Sequence, residues 1–177
     1  MRALTPGTYF GEGGDSLSLD EAYAVQERIA ELRVANGEQI GGYKLGCFGP
    51  KIREAFGMDG PIRGTLFSNE FHRSGASLCC EKYANLAIEG EIAVRIGADG
   101  APESVFPVIE LHHLVLRSEP RILQELIANN GLNAGAVFPT TELQYLTPDA
   151  TVDIEINGHP HRENFAGQLE LGIARPC

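Results

Sequence analysis

Basic residues, cysteine motifs and long apolar runs are all scarce in this sequence. Lys and Arg number 14 against 24 Asp and Glu, a formal net charge of −10. A chain so poor in positive charge argues against non-specific binding to nucleic acid or to an anionic membrane, since both need a basic surface. No apolar run reaches the roughly 18 residues that a transmembrane helix requires. The opening MRALTPGTYFGEGG lacks the continuous apolar stretch of a secretory leader, so none is expected. The four cysteines, Cys47, Cys79, Cys80 and Cys177, form no C-x-x-C, which argues against structural zinc and a thioredoxin-like centre. Their thiols are expected to be reduced and the protein cytoplasmic. Also missing are the G-x-S-x-G elbow, the G-x-G-x-x-G fingerprint and the P-loop, along with internal repeats, low-complexity tracts and linkers. An acidic chain that takes an anionic substrate must then supply positive charge locally, from a Lys, an Arg or a metal ion.

What is present is an ordinary globular composition. The chain has 177 residues, 43% of them hydrophobic, with a mean hydropathy of −0.11. That length suits a single domain burying roughly 70% of its unfolded surface. After a loose lead-in over residues 1–17, Ser18 and Glu21 form an S-x-x-E capping box. A helix is predicted from Leu19 to Asn36, with Ala22, Val25, Ile29 and Leu32 on one face and Gly37 as its stop. A glycine-loosened strand follows over Gln39–Gly46. Pro50–Phe56 reads as a short helix, with Pro at its start and Gly57 at its end. Gly64–Ser68 reads as a short strand.

Residues 86–96 alternate, with Ile88, Ile92, Val94 and Ile96 on one face and Glu89, Glu91, Ala93 and Arg95 on the other. The apolar face is expected to seat this strand firmly. Asp99-Gly100 makes a turn into a second strand, Val105–His112. A helix opening at Ser118-Glu119-Pro120 carries Ile122, Leu123, Leu126 and Ile127 and stops near Asn129-Asn130-Gly131. Ala134–Phe138, Glu142–Leu146 and Thr151–Ile156 are further strands, and Asn157-Gly158 is a hairpin turn signal. One helix followed by many strands with a helix inserted argues for α+β with a mixed sheet, more than for a doubly wound fold.

The pair Glu89-x-Glu91 leaves one strand face about 7 Å apart. The two carboxylates repel unless that face meets water or a cation, so the pair is either a solvated outer face or part of a divalent-ion site. Glu110 interrupts the apolar stretch PVIEL, where a carboxylate is costly unless it pairs with an Arg or binds a metal. Three carboxylates on neighbouring strands suit Mg²⁺ or Mn²⁺. Lys44, in GGYKLG, is the one charge of its strand. It reads either as a ligand-binding ammonium or as an edge Lys reaching solvent. Of His112 and His113, only His112 shares the Glu110 face, as a ligand, a supporting residue or a structural one. His159 and His161 flank the hairpin turn and read as surface residues.

AYAVQERIAELRVANG, GGYKLG, FGMDGPIRGTLF, IEGEIAVRI, FPVIEL and LIANNGLNAG, in this order from about Ser18 to Gly158, resemble the 2-keto-4-pentenoate hydratase group of the fumarylacetoacetate hydrolase superfamily. The resemblance implies a mixed β-sheet roll of that type with an N-terminal helical segment. It also implies Mg²⁺ or Mn²⁺ on Glu89, Glu91 and Glu110, with Lys44 holding the substrate carboxylate and assisting proton transfer. The sequence departs from the family at three places. Ile62 stands where the family often has Asp, with Arg63 beside it as an anion contact or a surface residue. Asn129-Asn130-Gly131-Leu132 stands where the family reads D-N-A-S. The chain also ends soon after Asn157-Gly158, so the sheet is expected to be incomplete or completed by another subunit.

These readings give one domain over residues 1–177, comprising a helical part with the Lys strand (1–60) and a β-rich, shortened metal-binding core (61–177). The expected activity is a hydro-lyase acting on a small anionic 2-oxo or 2-hydroxydienoic acid, with Lys44 as the catalytic group and Lys44 and Arg63 as substrate contacts. The alternatives are a 2-oxo acid decarboxylase or acylpyruvate hydrolase on the same metal site, or a non-catalytic member serving as a partner subunit. A homo-oligomer, or a complex with another pathway enzyme, is expected.

Overall fold

The computed structural model describes residues 16–115, 122–141 and 151–164. Three α-helices, α1 (Leu19–Ala35), α2 (Pro50–Phe56) and α3 (Leu123–Ala128), accompany eight strands in these segments. The strands are β1 (Ile40–Gly46), β2 (Ile62–Phe67), β3 (Phe71–Arg73), β4 (Leu86–Ile96), β5 (Pro102–His113), β6 (Asn133–Phe138), β7 (Thr151–Ile156) and β8 (His159–Asn164). They form an antiparallel β1-β2 ribbon, a four-stranded sheet in the order β3-β6-β5-β4, and an antiparallel β7-β8 hairpin.

Local chemistry accounts for many of the boundaries. Ser18 Oγ accepts the Glu21 N–H at 3.2 Å while Glu21 Oε2 accepts the Ser18 N–H at 2.8 Å, so the capping box closes in both directions. Pro50 opens α2 and Gly57, at φ +63°, ends it in the left-handed region. Asn157 and Gly158, at φ +53° and +79°, turn β7 into β8.

The chain divides into two compact units. The first holds residues 16–71, 77–87, 111–115 and 122–135, and the second 72–76, 88–110, 136–141 and 151–164. The core of the first joins Ala22 to Ile62, Leu123, Leu126, Ile127, Ala128 and Leu132. Here α1 packs on α3. The predicted apolar face of α1 is only half used: Ala22 is buried, but Ile29 and Leu32 are 46% and 47% exposed. The reason is length, since the 6 residues of α3 extend about 9 Å and cannot cover a 17-residue helix of about 25 Å. In the second unit, Ser104, Val105 and Phe106 are buried, and the Phe106 and Phe138 rings lie 5.9 Å apart.

The apolar face of β4 seats the strand only in its middle: Ile92 and Val94 are half-buried, whereas Ile88 and Ile96 near its ends are 44% and 56% exposed. The inserted helix runs over Leu123–Ala128, with Ile122 extended before it; its predicted start at Ser118-Glu119-Pro120 lies outside the described residues, as do Glu142–Leu146 and most of the lead-in. No described helix is long and apolar enough to cross a membrane.

Candidate functional site

Lys44 sits mid-strand in β1, opposite Gly64 of β2. Its Nζ donates to the carbonyl of Gly131 at 3.1 Å. The route exists because Gly64 has no side chain: a Cβ there would lie 3.0 Å from Lys44 Cγ and 3.0 Å from both Asn130 oxygens. The segment Asn130-Gly131-Leu132 is left-handed throughout, with φ of +56°, +60° and +60°. Two of these residues carry side chains, a conformation that costs about 1–2 kcal/mol at each.

Something must hold that turn, and the Asn130 side chain does. Its Oδ1 accepts the Thr65 N–H and its Nδ2 donates to the Thr65 carbonyl, both at 2.7 Å. The amide thus occupies both main-chain groups of one β2 residue, as a neighbouring strand would. Sequence patterning did not single out Asn130, because its partner is 65 residues away.

Arg63 lies opposite Leu45, one position along the ladder from the Lys44–Gly64 pair. Successive strand residues alternate faces, so Arg63 and Lys44 leave opposite sides of the ribbon. The Arg63 guanidinium pairs with Glu27 of α1 at 2.6 Å and lies 4.3 Å from the centroid of the Tyr23 ring. The two predicted substrate contacts are therefore not on one face.

In the four-stranded sheet, β4 and β5 are neighbours joined by the turn at Gly97–Ala101, where the Gly97 N–H donates to the Ala101 carbonyl at 2.8 Å. Glu89 and Glu110 lie at similar sequence distances from this turn, so a hairpin brings them together. His112 follows two residues after Glu110 on the same continuous strand. One ligand atom from each of Glu89, Glu110 and His112 lies within 4.8 Å of the others. Among the described residues, this is the group of acids, thiols and imidazoles able to share an ion. Glu91, on the same face of β4, does not enter it, and His112 does. The sequence signal was there in Glu110-x-His112, whose spacing puts both on one strand face.

His113 points elsewhere: its Nδ1 accepts the Ala84 N–H at 3.1 Å and its ring lies 5.1 Å from that of Tyr83. Burial pushes its pKa down, against a smaller upward pull from Glu70. Cys47 is half-buried and Cys79 and Cys80 are exposed, all three as free thiols.

No family model matches the chain. Curated relatives do. The 2-keto-4-pentenoate hydratase of Burkholderia vietnamiensis is 32% identical over 98 residues, which is 55% of this chain and 36% of that protein. The 2-oxo-hept-4-ene-1,7-dioate hydratase of Escherichia coli is 24% identical over 69% of this chain and 52% of its own length. The 2-hydroxypent-2,4-dienoate hydratase of Pseudomonas putida is 27% identical over 66% and 59%. The chain thus spans about half the length of the curated relatives it matches. Among solved structures, the 4-oxalocrotonate decarboxylase of Pseudomonas putida G7 complexed with calcium and acetate aligns with a TM-score of 0.77 at 20% identity, over 89% of this chain and 65% of that one. The same enzyme complexed with magnesium and adipate aligns at 0.70, over 79% and 58%. These last two likenesses show the fold. Together with the ordered motifs, the curated relatives show the chain to be similar to the 2-keto-4-pentenoate hydratase group of the fumarylacetoacetate hydrolase superfamily.

Proposed function

We propose that this chain carries the site of a divalent-metal-dependent hydro-lyase that adds water to a small 2-hydroxydienoic or 2-oxo acid, on a sheet roll of the fumarylacetoacetate hydrolase type. The observation that carries this reading is the convergence of Glu89, Glu110 and His112 within 4.8 Å. Ligand atoms on one octahedral ion stand about 3 Å apart when adjacent and about 4.2 Å apart when opposite, so three atoms within 4.8 Å of one another would close onto a single ion by side-chain movement. Two carboxylates and an imidazole are also donors that Mn²⁺ accepts readily and Mg²⁺ accepts in part. The hydratase names of the sequence relatives support the same reading.

Glu89, Glu110 and His112 would hold the ion, with Glu91 adding negative charge beside it on β4. A bound divalent ion supplies Lewis-acid stabilisation for the negative charge that develops on the 2-oxygen of such an acid. Lys44 would bind the substrate carboxylate. An ammonium has three N–H donors, and the Gly131 carbonyl orients one of them. The exposed isoleucines Ile88, Ile96 and Ile109, on the face opposite the glutamates, support assembly with further copies or with another enzyme of the pathway.

Titration calorimetry with Mn²⁺, followed by loss of the dienol absorbance of 2-hydroxypenta-2,4-dienoate, tests the proposal. Metal-dependent decay to a hydrated 2-oxo acid is expected. Carbon dioxide release from a 2-oxo dicarboxylate in its place would reassign the site to a decarboxylase. Metal binding without turnover would make the chain a binding subunit, and no metal binding would overturn the reading altogether.

A further inference from the structure

We propose that Asn130 is a positioning residue for Lys44, setting where the ammonium stands through the left-handed turn it clamps. The inference rests on the reading of Lys44 as the carboxylate-binding group. The chain of contacts is short. Asn130 bonds both main-chain groups of Thr65 at 2.7 Å. Thr65 adjoins Gly64, the residue that faces Lys44 across the ribbon. The residue after Asn130 is Gly131, whose carbonyl accepts from Lys44 Nζ at 3.1 Å. A Cβ on Gly131 would touch Lys44 Cε and Nζ at 3.5 Å, so the turn packs along the end of the side chain as well as accepting from it.

Apart from the clamp and the Lys44 contact itself, the three consecutive left-handed residues are tied by the Leu132 N–H to Asn129 carbonyl bond at 2.9 Å and by the buried Leu132 side chain, neither of which fixes Asn130. Relaxation of Asn130 and Leu132 toward ordinary φ would swing the Gly131 carbonyl away from β1. The clamp therefore converts a side-chain amide on one segment into the position of an ammonium on another. This arrangement serves a lysine that must meet an anion at a fixed place, since misplacement of a binding group is costly to a reaction.

The experiment uses the full chain and the fact that Lys44, Lys51 and Lys82 are its only lysines. Lys51 and Lys82 are exposed and serve as internal references. Acetylation by a water-soluble succinimidyl ester, quantified by peptide mass spectrometry, reads the accessibility of each amine. In the unaltered protein Lys44 is expected to react more slowly than the references. Asn130→Ala is expected to raise its relative rate about fivefold, the equilibrium factor for the net worth of one hydrogen bond. Asn130→Gly keeps the left-handed backbone without strain and removes only the clamp, so it should raise the rate as well.

Gly57→Ala strains a left-handed residue away from Lys44 and controls for loss of stability alone. An Asn130→Gly protein with unaltered Lys44 reactivity, or a Gly57→Ala protein with the same increase, would overturn the inference. A parallel titration with oxalate separates the two claims. Absence of oxalate binding to the unaltered protein overturns the role of Lys44 as an anion contact, and the acetylation rates still decide whether Asn130 positions it.

Discussion

The side-chain amide of Gln26 on α1 donates to the carbonyl of Ile127 on α3 at 2.7 Å, across 101 residues of sequence. The same nitrogen donates to the carbonyl of Arg63 on β2 at 3.0 Å. Gln26 is only 4% exposed, so this one amide joins the helix pair to the ribbon that carries Lys44 from inside the core. Replacement by Leu keeps the approximate volume and leaves two carbonyls without their donor. The expected loss is about 2–3 kcal/mol, the cost of stranding buried acceptors. Urea denaturation of Gln26→Leu checks it, and a variant as stable as the parent would mean that the core relaxes to satisfy both carbonyls.

The cation donors make a prediction that separates the strand pattern from the folded arrangement. The E-x-E pattern points to Glu89 with Glu91, whereas the hairpin groups Glu89 with Glu110 and His112. In Mn²⁺ titrations, Glu89→Gln, Glu110→Gln and His112→Ala should each weaken binding at least about tenfold, and Glu91→Gln should weaken it less. The imidazole also predicts a preference for Mn²⁺ over Mg²⁺ that narrows in His112→Asp, an all-oxygen donor set. Equal losses for Glu91→Gln and His112→Ala would return the site to the three-glutamate arrangement.

How far the sequence could be read depended on how far apart the interacting residues are. Ser18 with Glu21, Pro50 with Gly57, and Asn157 with Gly158 act within one turn or one short helix, and each boundary was legible from residue type alone. The β4 alternation gave the strand and the shared face of Glu89 and Glu91. It could not say what covers the opposite face, and Ile88 and Ile96 proved exposed. Nor can one strand's periodicity supply the cross-strand register that brings His112 into the group. Asn130 was readable as a turn residue, but its clamp on Thr65 depends on α3 returning the chain to the edge of β2.

Gly135 offers a sharp test of the close approach between β6 and the segment leading into β3. At φ +123°, a Cβ there would lie 2.3 Å from the Glu70 carbonyl oxygen, a rigid main-chain atom. Gly135→Ala therefore combines backbone strain with a clash and should cost at least about 3 kcal/mol. Gly57, at φ +63° with nothing within 4 Å of its would-be Cβ, bears only the strain, about 1–2 kcal/mol. Thermal denaturation of the two alanine variants should rank them in that order. Similar losses would show that β6 can shift away from Glu70.

Arg33 gives the molecule an acid-sensitive joint. Its guanidinium meets Glu38 at 2.9 and 2.6 Å and Glu70 at 2.6 Å, and stacks 3.7 Å from the centroid of the Phe67 ring. The hydrogen bond from Arg33 holds the Glu38 carboxyl below its usual value near 4.5, with Asn69 helping and partial burial opposing. A carboxyl whose pKa is lower folded than unfolded releases its proton more readily in the folded state. Its contribution to stability is therefore complete above about pH 5 and fades as the pH falls through the depressed folded value. Glu38→Gln removes that titration and leaves the neighbouring Glu70 pair in place. The parent should exceed the variant by about 1 kcal/mol at pH 7, and the margin should shrink steadily between about pH 5 and pH 3. Denaturant melts of both proteins across that range check it. A margin independent of pH would mean that the Glu38 side chain stabilises the joint through its shape and not its charge.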